Sequence, residues 1–461
     1  MKIQIDSQIR ISDISKELEQ FIKKELEITN PEIAKKQAMG FWCGNIPKTL
    51  KAYSKNGNDY IIPIGEIDNI WKLHPIKEDY TTNFGKHNKL KFPENTLKLY
   101  DYQEKAVQET IKFKRGILSS KCGSGKSIML LETIKRIGYK ALIICEKKEI
   151  LQQFIGYLKD TFNMQPGEYG IIQEGKVEIG SLVTVALRQT LARIDLTPYK
   201  FEWGTICIDE CQNVGGSVTK CTQYSKILNN LVAEYRYGVS ATGYRTDGLT
   251  RFMYSLLNTI KYEIPEEAIA DKIIKAKVKP IHTSFKIPLE ALDYSGMIKY
   301  TTLPSILATD NSRNKLIVNL LEKEKDNYNL ILSDRLEGLE FLHNEIGGLF
   351  INGSMTSKKA KQERQEAIEK MRNRQEHYLF ASYSLAKEGL DIKPLNRVFL
   401  IAPTKNKVVL IQSVGRIERK DEGKDTPIVY DLIDNDKYFE DAWKKRRSIY
   451  KKNGNEILEE E

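Results

Sequence analysis

The stretch 115–138 constrains this chain more than any other: RGILSS runs into KCGSGKS, which runs into IMLLETIKRIG. An apolar, strand-forming run ends in a glycine-containing loop, and a helical pattern begins at once. A strand joined this tightly to a helix belongs to a βαβ unit, and such units build parallel sheets covered by helices. The loop has its own chemistry. Gly123 and Gly125, with Ser124 between them, let the backbone approach a phosphate and turn its N–H groups inward. Lys126 then reaches the β- and γ-phosphates and Ser127 holds Mg²⁺. The helix N-terminus adds its positive dipole end. Ser120 stands where such loops usually carry their first glycine, and it is still small.

The alternation continues on both sides of the loop. Between about 95 and 262, the strand candidates ALIICE, SLVTVA, TICIDE and RYGVSA alternate with the helical patterns KEILQQFIGYLKDTF and TQYSKILNNLV. Between 263 and 445 the pattern returns in NLILS, GLFING, HYLFAS, RVFLIA and PIVYDLI, with helices from Leu336, from Ser357 and near Val408. Two α/β domains of similar size are therefore expected. Residues 1–94 read as a separate small α+β module. Ile14, Leu18, Phe21, Ile22 and Leu26 recur at helical spacing after a cap at Ser12 or Asp13, and an Asn56-Gly57 turn joins TLKAYSK to DYIIPIG as a hairpin. Phe41-Trp42, beside lysines, either stack on bases or pack inside; the usual burial of tryptophan favours the core for Trp42. The run KKRRSIYKK at 444–452 and the acidic end read as a charged tail over 446–461, with a solvated helix face.

Composition narrows the class. With 461 residues the chain holds about three domains at ~150 residues each. Its 41% apolar content is enough for several cores. No run of ~18 apolar residues suggests a membrane span, and MKIQIDSQIRISD lacks a signal-peptide core, so a cytoplasmic protein is expected. The formal net charge of +10 suits a polyanionic partner. Six cysteines, at 43, 122, 145, 207, 211 and 221, form no CxxC and read as reduced structural thiols. The five histidines form no HExxH, which argues against a metallohydrolase.

The segment TICIDECQNV, 205–214, poses an electrostatic question. Its strand ends on two adjacent carboxylates, and two such charges ~5 Å apart repel by about 3 kcal/mol at an effective dielectric of ~20. A metal on the bound nucleotide compensates them. Asp209 then holds Mg²⁺, directly or through water, and Glu210 orients and polarises the attacking water. Cys211 fills a small buried position. Gln212 offers an amide that does not titrate near neutral pH and can hydrogen-bond toward Ser240-Ala241-Thr242.

Taken in order, these motifs resemble the superfamily 2 helicases of DEAD/DEAH type, over roughly 95–435. The resemblance implies two tandem RecA-like parallel-sheet domains behind a small α+β N-terminal domain, with ATP and Mg²⁺ as ligands. YDYQ, ending at Gln103, is similar to the family's adenine-reading element. ALIICEKKEILQQF resembles motif Ia, with Lys147 and Lys148 in place of the usual Pro-Thr, and TVALRQTL the next backbone-contacting element, with Thr184 and Arg188 as candidates. SATGYR at 240–245 resembles motif III, which implies coupling roles for Ser240 and Thr242; Gly243 stands where related sequences carry Pro. LILSDRLEGLEFL resembles motif IV, with Arg335 as a phosphate contact. FASYSLAKEGLDI resembles motif V, with Ser382 at the nucleic-acid backbone and Gly389 and Asp391 as nucleotide sensors. QSVGRIERK resembles motif VI; Arg416 and Arg419, spaced i, i+3, can share one face of a helical turn toward the γ-phosphate.

A finer resemblance runs to the XPB-like and bacteriophage UvsW-like branch, through NPEIAKKQAMGFWCGNIPKTLKAY and through KVKPIHTSF…TDNSRNKLIV. It implies single-stranded, forked or branched DNA as partner, ahead of RNA, and a motor for unwinding or branch migration in replication or recombination. It also makes 1–94 a candidate DNA-binding module. The motor subunit of a restriction-type system and an ATP-dependent RNA helicase are the alternatives.

Overall fold

In a computed structural model the described residues are 1–461 without 39, 41, 122, 216–221, 246, 300, 354, 356, 388, 389, 391, 403, 405, 460 and 461. Phe41, Cys122, Cys221, Gly389 and Asp391 thus lie outside the described residues. The chain divides into two compact units, Met1–Ala268 and Ile269–Glu461.

The first unit holds two layers of different origin. Isoleucines 3, 5, 9 and 11 alternate along the strands Lys2–Ile5 and Gln8–Ser12 and all face inward, as period-2 spacing dictates. These strands lie within a five-stranded sheet in the order 54–56, 59–63, 8–12, 2–5, 80–82. The helix Lys16–Leu26 covers it with Leu18, Ile22 and Leu26. Ser15 caps this helix by accepting from the Leu18 N–H at 3.3 Å, so the cap falls after the expected Ser12 or Asp13. The hairpin at Gly57 forms as the Asn-Gly signal predicts.

Trp42 corrects an expectation: it is 76% exposed. The module's core is already filled by isoleucines and by Tyr53 and Tyr60. Trp42 sits instead on a loop tied down by Asn30, whose Nδ2 donates to the Pro47 carbonyl at 3.0 Å. Its ring lies over Gly44, where a Cβ would fall 2.1 Å from it.

This module is fixed onto the parallel-sheet domain. Buried Glu66 takes both Arg251 guanidinium nitrogens, at 2.5 and 2.8 Å, and Asp68 accepts from Asn258 at 2.7 Å and Lys261 at 3.0 Å. A Cβ at Gly65 would fall 2.4 Å from the Ser255 carbonyl, so the two backbones meet directly there. Phe252 of the parallel-sheet domain joins the module's core.

The large sheet of the first unit has the order 176–177, 169–173, 183–187, 141–145, 205–208, 235–240, 115–119, 260–263. Apart from the edge pair 169–173/176–177, its strands run parallel. All five strand candidates named from sequence in this region form, and each is buried almost end to end. The register decides where the chemistry lies. Ser119 pairs with Ser240, and Ile208 with Gly238, so the carboxyl ends of three adjacent strands deliver the glycine loop, the DE pair and the SAT segment to one edge.

The second unit is a parallel sheet ordered 349–351, 378–382, 329–333, 397–400, 428–433, 277–282, 456–457. Its last helix, Lys437–Lys452, exposes Lys444, Lys445, Arg447, Lys451 and Lys452 as a solvated face, and Arg446 alone of the basic run departs from that reading. Arg446 is 2% exposed and donates to Asp431 through Nε at 2.9 Å and Nη2 at 2.7 Å, with the Tyr450 hydroxyl on the same carboxylate at 2.7 Å. Position 446 therefore lies inside a packed helix, and Glu456–Ile457 adds a strand to the sheet.

Candidate functional site

The loop after strand Arg115–Ser119 is held open by its own backbone. Gly123 has φ 84° and Gly125 φ 81°, the left-handed region in which a side chain is strained. A Cβ at Gly125 would also fall 2.4 Å from Gln103 Nε2. Ser120, at the first-glycine position, donates to Ser124 Oγ at 2.5 Å and its N–H meets the Ser240 carbonyl at 3.0 Å. Gln103 is 6% exposed; its Nε2 donates to the Ser124 carbonyl at 2.9 Å, and its Oε1 accepts from the Tyr100 N–H at 3.1 Å. Here that amide braces the loop, as does the Tyr102 hydroxyl on the same Ser124 carbonyl at 3.1 Å. Lys126 opens the helix Lys126–Ile137, and its Nζ donates to the Ser120 and Lys121 carbonyls, both at 3.2 Å. Ser127 follows on the first turn, half-buried.

Beside the loop, the strand Thr205–Ile208 ends on Asp209, which is buried. Burial, and then the Glu210 charge, push its carboxyl up to about 7; the Lys126 ammonium pulls the other way. Glu210 itself has φ 49°, a strained conformation for a residue with a Cβ. The strain turns the chain sharply after Asp209. Gln212 then reaches back: its Nε2 donates to Glu210 Oε2 at 2.6 Å, and its Oε1 accepts from the Ser240 hydroxyl at 2.5 Å. That hydroxyl also lies 2.5 Å from the Thr242 carbonyl. A hydroxyl has one proton, so Ser240 can donate to only one of these oxygens at a time. Cys211 is fully buried and packs on Gly238, where a Cβ would fall 2.8 Å from its sulfur. Burial raises its thiol pKa, which keeps it unreactive.

Several contacts of this site carried no sequence signal. Arg245 Nη1 donates to the Val214 carbonyl at 2.7 Å, which clamps the turn after the DE pair. Glu146, at the end of strand Ala141–Cys145, accepts from Asn213 Nδ2 at 3.0 Å and lies 3.6 Å from Arg188 Nη2. The Arg188 guanidinium rests over the Tyr224 ring, 5.1 Å from its centre. These contacts join segments far apart in sequence, so no local pattern announces them.

The candidate nucleic-acid residues divide. Lys147 stands at the N-cap of the helix Lys148–Gly156, and Lys148 pairs with exposed Glu174 at 3.0 Å. Arg188 is partly exposed. Thr184 is a correction: it is fully buried, and its hydroxyl accepts from the Gly180 N–H at 3.2 Å and from the Trp203 indole at 3.4 Å. It holds the sheet and cannot touch a polymer outside. In the second unit, Arg335 precedes the helix Leu336–Ile346 and Ser382 ends the strand Tyr378–Ser382. Arg416 and Arg419 do not share a helical face. The helix Lys407–Ile417 ends between them; Arg416 is buried with Nη1 3.4 Å from the Leu390 carbonyl, while Arg419 bridges to Ile273 outside the helix.

The donors fit a phosphate-bound Mg²⁺. Ser127 and Asp209 supply hard oxygens, and a buried carboxyl raised toward neutrality gains its charge when a cation compensates it.

Comparison with known proteins agrees with this geometry. Residues 96–245 match the family model for the Type III restriction enzyme, res subunit, and residues 312–421 the helicase conserved C-terminal domain. A putative ATP-dependent RNA helicase of Acanthamoeba polyphaga mimivirus is 26% identical, covering 88% of this chain and 78% of its own length. The DNA 3'-5' translocase XPB2 of Sulfurisphaera tokodaii is 24% identical, covering 72% and 81%. The solved structure of S. cerevisiae Dbp5 bound to RNA and ADP BeF3 is 13% identical, with a TM-score of 0.56 over 79% of this chain and 90% of that one, and it shares the fold. Among the described residues no helix is long and apolar enough to cross a membrane. The chain belongs to the superfamily 2 helicases and resembles their XPB-like branch.

Proposed function

We propose that this helicase is an ATP-driven DNA translocase that unwinds or branch-migrates forked and branched DNA in replication or recombination. The observation that carries the reading is the chain of contacts from Glu210 through Gln212 to Ser240 and Thr242, at the ends of adjacent strands beside the glycine loop. It joins the residue that handles water to a segment able to rearrange.

The steps follow from the side chains. The loop amides around Gly123, Ser124 and Gly125 bind the phosphates, and Lys126 leaves its two carbonyls for them. Ser127 and Asp209 hold Mg²⁺, which when bound neutralises phosphate charge. The Glu210 carboxylate, oriented by Gln212, aligns the attacking water and takes its proton. Loss of the γ-phosphate alters what Glu210 and Gln212 hold. The Ser240 hydroxyl can then transfer its bond from Gln212 to the Thr242 carbonyl. We assign Arg419 to charge stabilisation at the γ-phosphate, Arg416 to bracing the segment at Leu390, and Lys147, Lys148, Arg188, Arg335 and Ser382 to the polymer backbone. Adenine recognition by Gln103 requires one of its present bonds to exchange. Gly389 and Asp391 keep the sensing role that the family resemblance implies.

DNA is favoured by the similarity to a protein named as a DNA translocase, while the net charge of +10 suits either nucleic acid. The test is ATP turnover with duplex DNA, forked DNA, a four-way junction and RNA. Forked or four-way DNA should stimulate most. Stimulation by RNA alone would overturn the DNA assignment. The match at 96–245 to a restriction-enzyme family supports a second reading, a restriction motor subunit. Endonuclease cleavage by the purified chain or its complex would favour that reading.

A further inference from the structure

We propose that Glu146 is a positioning residue that links phosphate binding at Arg188 to the water-orienting turn at Glu210–Asn213. The inference rests on the reading of Arg188 as a contact to the nucleic-acid backbone. Glu146 uses its two oxygens in opposite directions. Oε1 lies 3.6 Å from Arg188 Nη2, and Oε2 accepts from Asn213 Nδ2 at 3.0 Å. Asn213 is not a remote partner: its N–H meets the Glu210 carbonyl at 3.0 Å, so it closes the same strained turn that aims Glu210. One carboxylate thus touches both the polymer side and the hydrolytic side of the first unit.

The contact to Arg188 is long and partly exposed, the kind of ion pair worth little in water and open to competition. A backbone phosphate offers the guanidinium a bidentate acceptor with better geometry. The Tyr224 ring beneath the guanidinium supports it while its partner changes. Once Arg188 turns to a phosphate, Glu146 keeps Asn213 as its remaining partner of the two. Held by Asn213 alone, the carboxylate fixes the turn that aims Glu210 before the nucleotide arrives. A turn already ordered leaves less ordering cost for nucleotide binding to bear. Nucleic acid and nucleotide therefore favour each other's binding, and linkage makes the effect reciprocal.

The test uses the full chain, a fluorescein-labelled single-stranded DNA and a non-hydrolysed ATP analogue with Mg²⁺. Glu146→Gln retains an acceptor for Asn213 but removes the charge that competes for Arg188. In that variant the DNA-dependent gain in analogue affinity should fall at least ~5-fold, the lower end of usual coupling. The analogue-dependent gain in DNA affinity should fall by the same factor, while DNA affinity without nucleotide holds or rises. Asn213→Ala breaks the other contact and should lose the same coupling. A merely structural role for Glu146 would not move the two affinities reciprocally. Retained coupling in both folded variants would overturn the proposal. Arg188→Ala tests the phosphate contact by itself. Loss of about one unit of salt slope confirms Arg188 as a phosphate contact, and an unchanged slope would remove the premise and the proposal with it.

Discussion

Replacing Lys126 by alanine should cut nucleic-acid-stimulated ATP turnover by at least ~10²-fold, the usual cost of removing one preorganised electrostatic group. Two effects add here. The phosphates lose the cation that the loop presents at the helix N-terminus. Asp209 also loses the ammonium that opposes its protonation, so it holds the metal less well. The loop itself should keep its shape, because Gln103, Tyr102 and Ser120 brace it independently. Binding of a fluorescent ATP analogue and the thermal midpoint check these points together. Near-wild-type turnover with an intact fold would remove Lys126 from the site.

Asp209→Asn should abolish turnover and yet stabilise the nucleotide-free protein at pH 8. The sign follows from the direction of the shift. The folded carboxyl titrates at about 7, above its ordinary 3.8, so the folded state holds this proton more tightly than the unfolded state. That contribution is complete below the unfolded value and is lost as pH rises through about 7. Asparagine carries no such proton. Its unfolding midpoint should match wild type near pH 4 and exceed it at pH 8, unless Mg²⁺ and nucleotide are present to stabilise the wild type alone. Parallel pH profiles for the two proteins would refute the assignment.

Much of this was legible because the parallel strands are buried on both faces and read as unbroken apolar runs. The glycine loop, the DE pair and Gln212 were legible for another reason: each needs a particular residue type at a fixed place after a strand. The misreadings are non-local. Thr184 follows the resemblance of TVALRQTL to a backbone-contacting element, which says nothing of Trp203, the donor from another segment that holds it inside. Arg446 looked solvated because Asp431 sits on a strand whose pattern says only that it is buried. Trp42 was assigned by the habit of its residue type, while smaller residues had already filled the core. Isoleucines 3, 5, 9 and 11 alternate with period 2, a strand signal as local as the helical one at 14–26. Glu146 lies in ALIICEKKEILQQF and Asn213 in TICIDECQNV, but neither motif gives these two residues a role. Only the register of strand Ala141–Cys145 beside Thr205–Ile208 brings them together.

The claim on which the account depends is that Glu210 handles the attacking water. Glu210→Gln keeps an oxygen for the Gln212 amide, whose bond spans 2.6 Å in the wild type, and removes only the base. Single-turnover ATP hydrolysis with forked DNA, measured beside analogue binding, is the direct test. Binding should match wild type and the rate should fall at least ~10²-fold, the low end for a lost general base. Wild-type binding with an unchanged hydrolysis rate would contradict it.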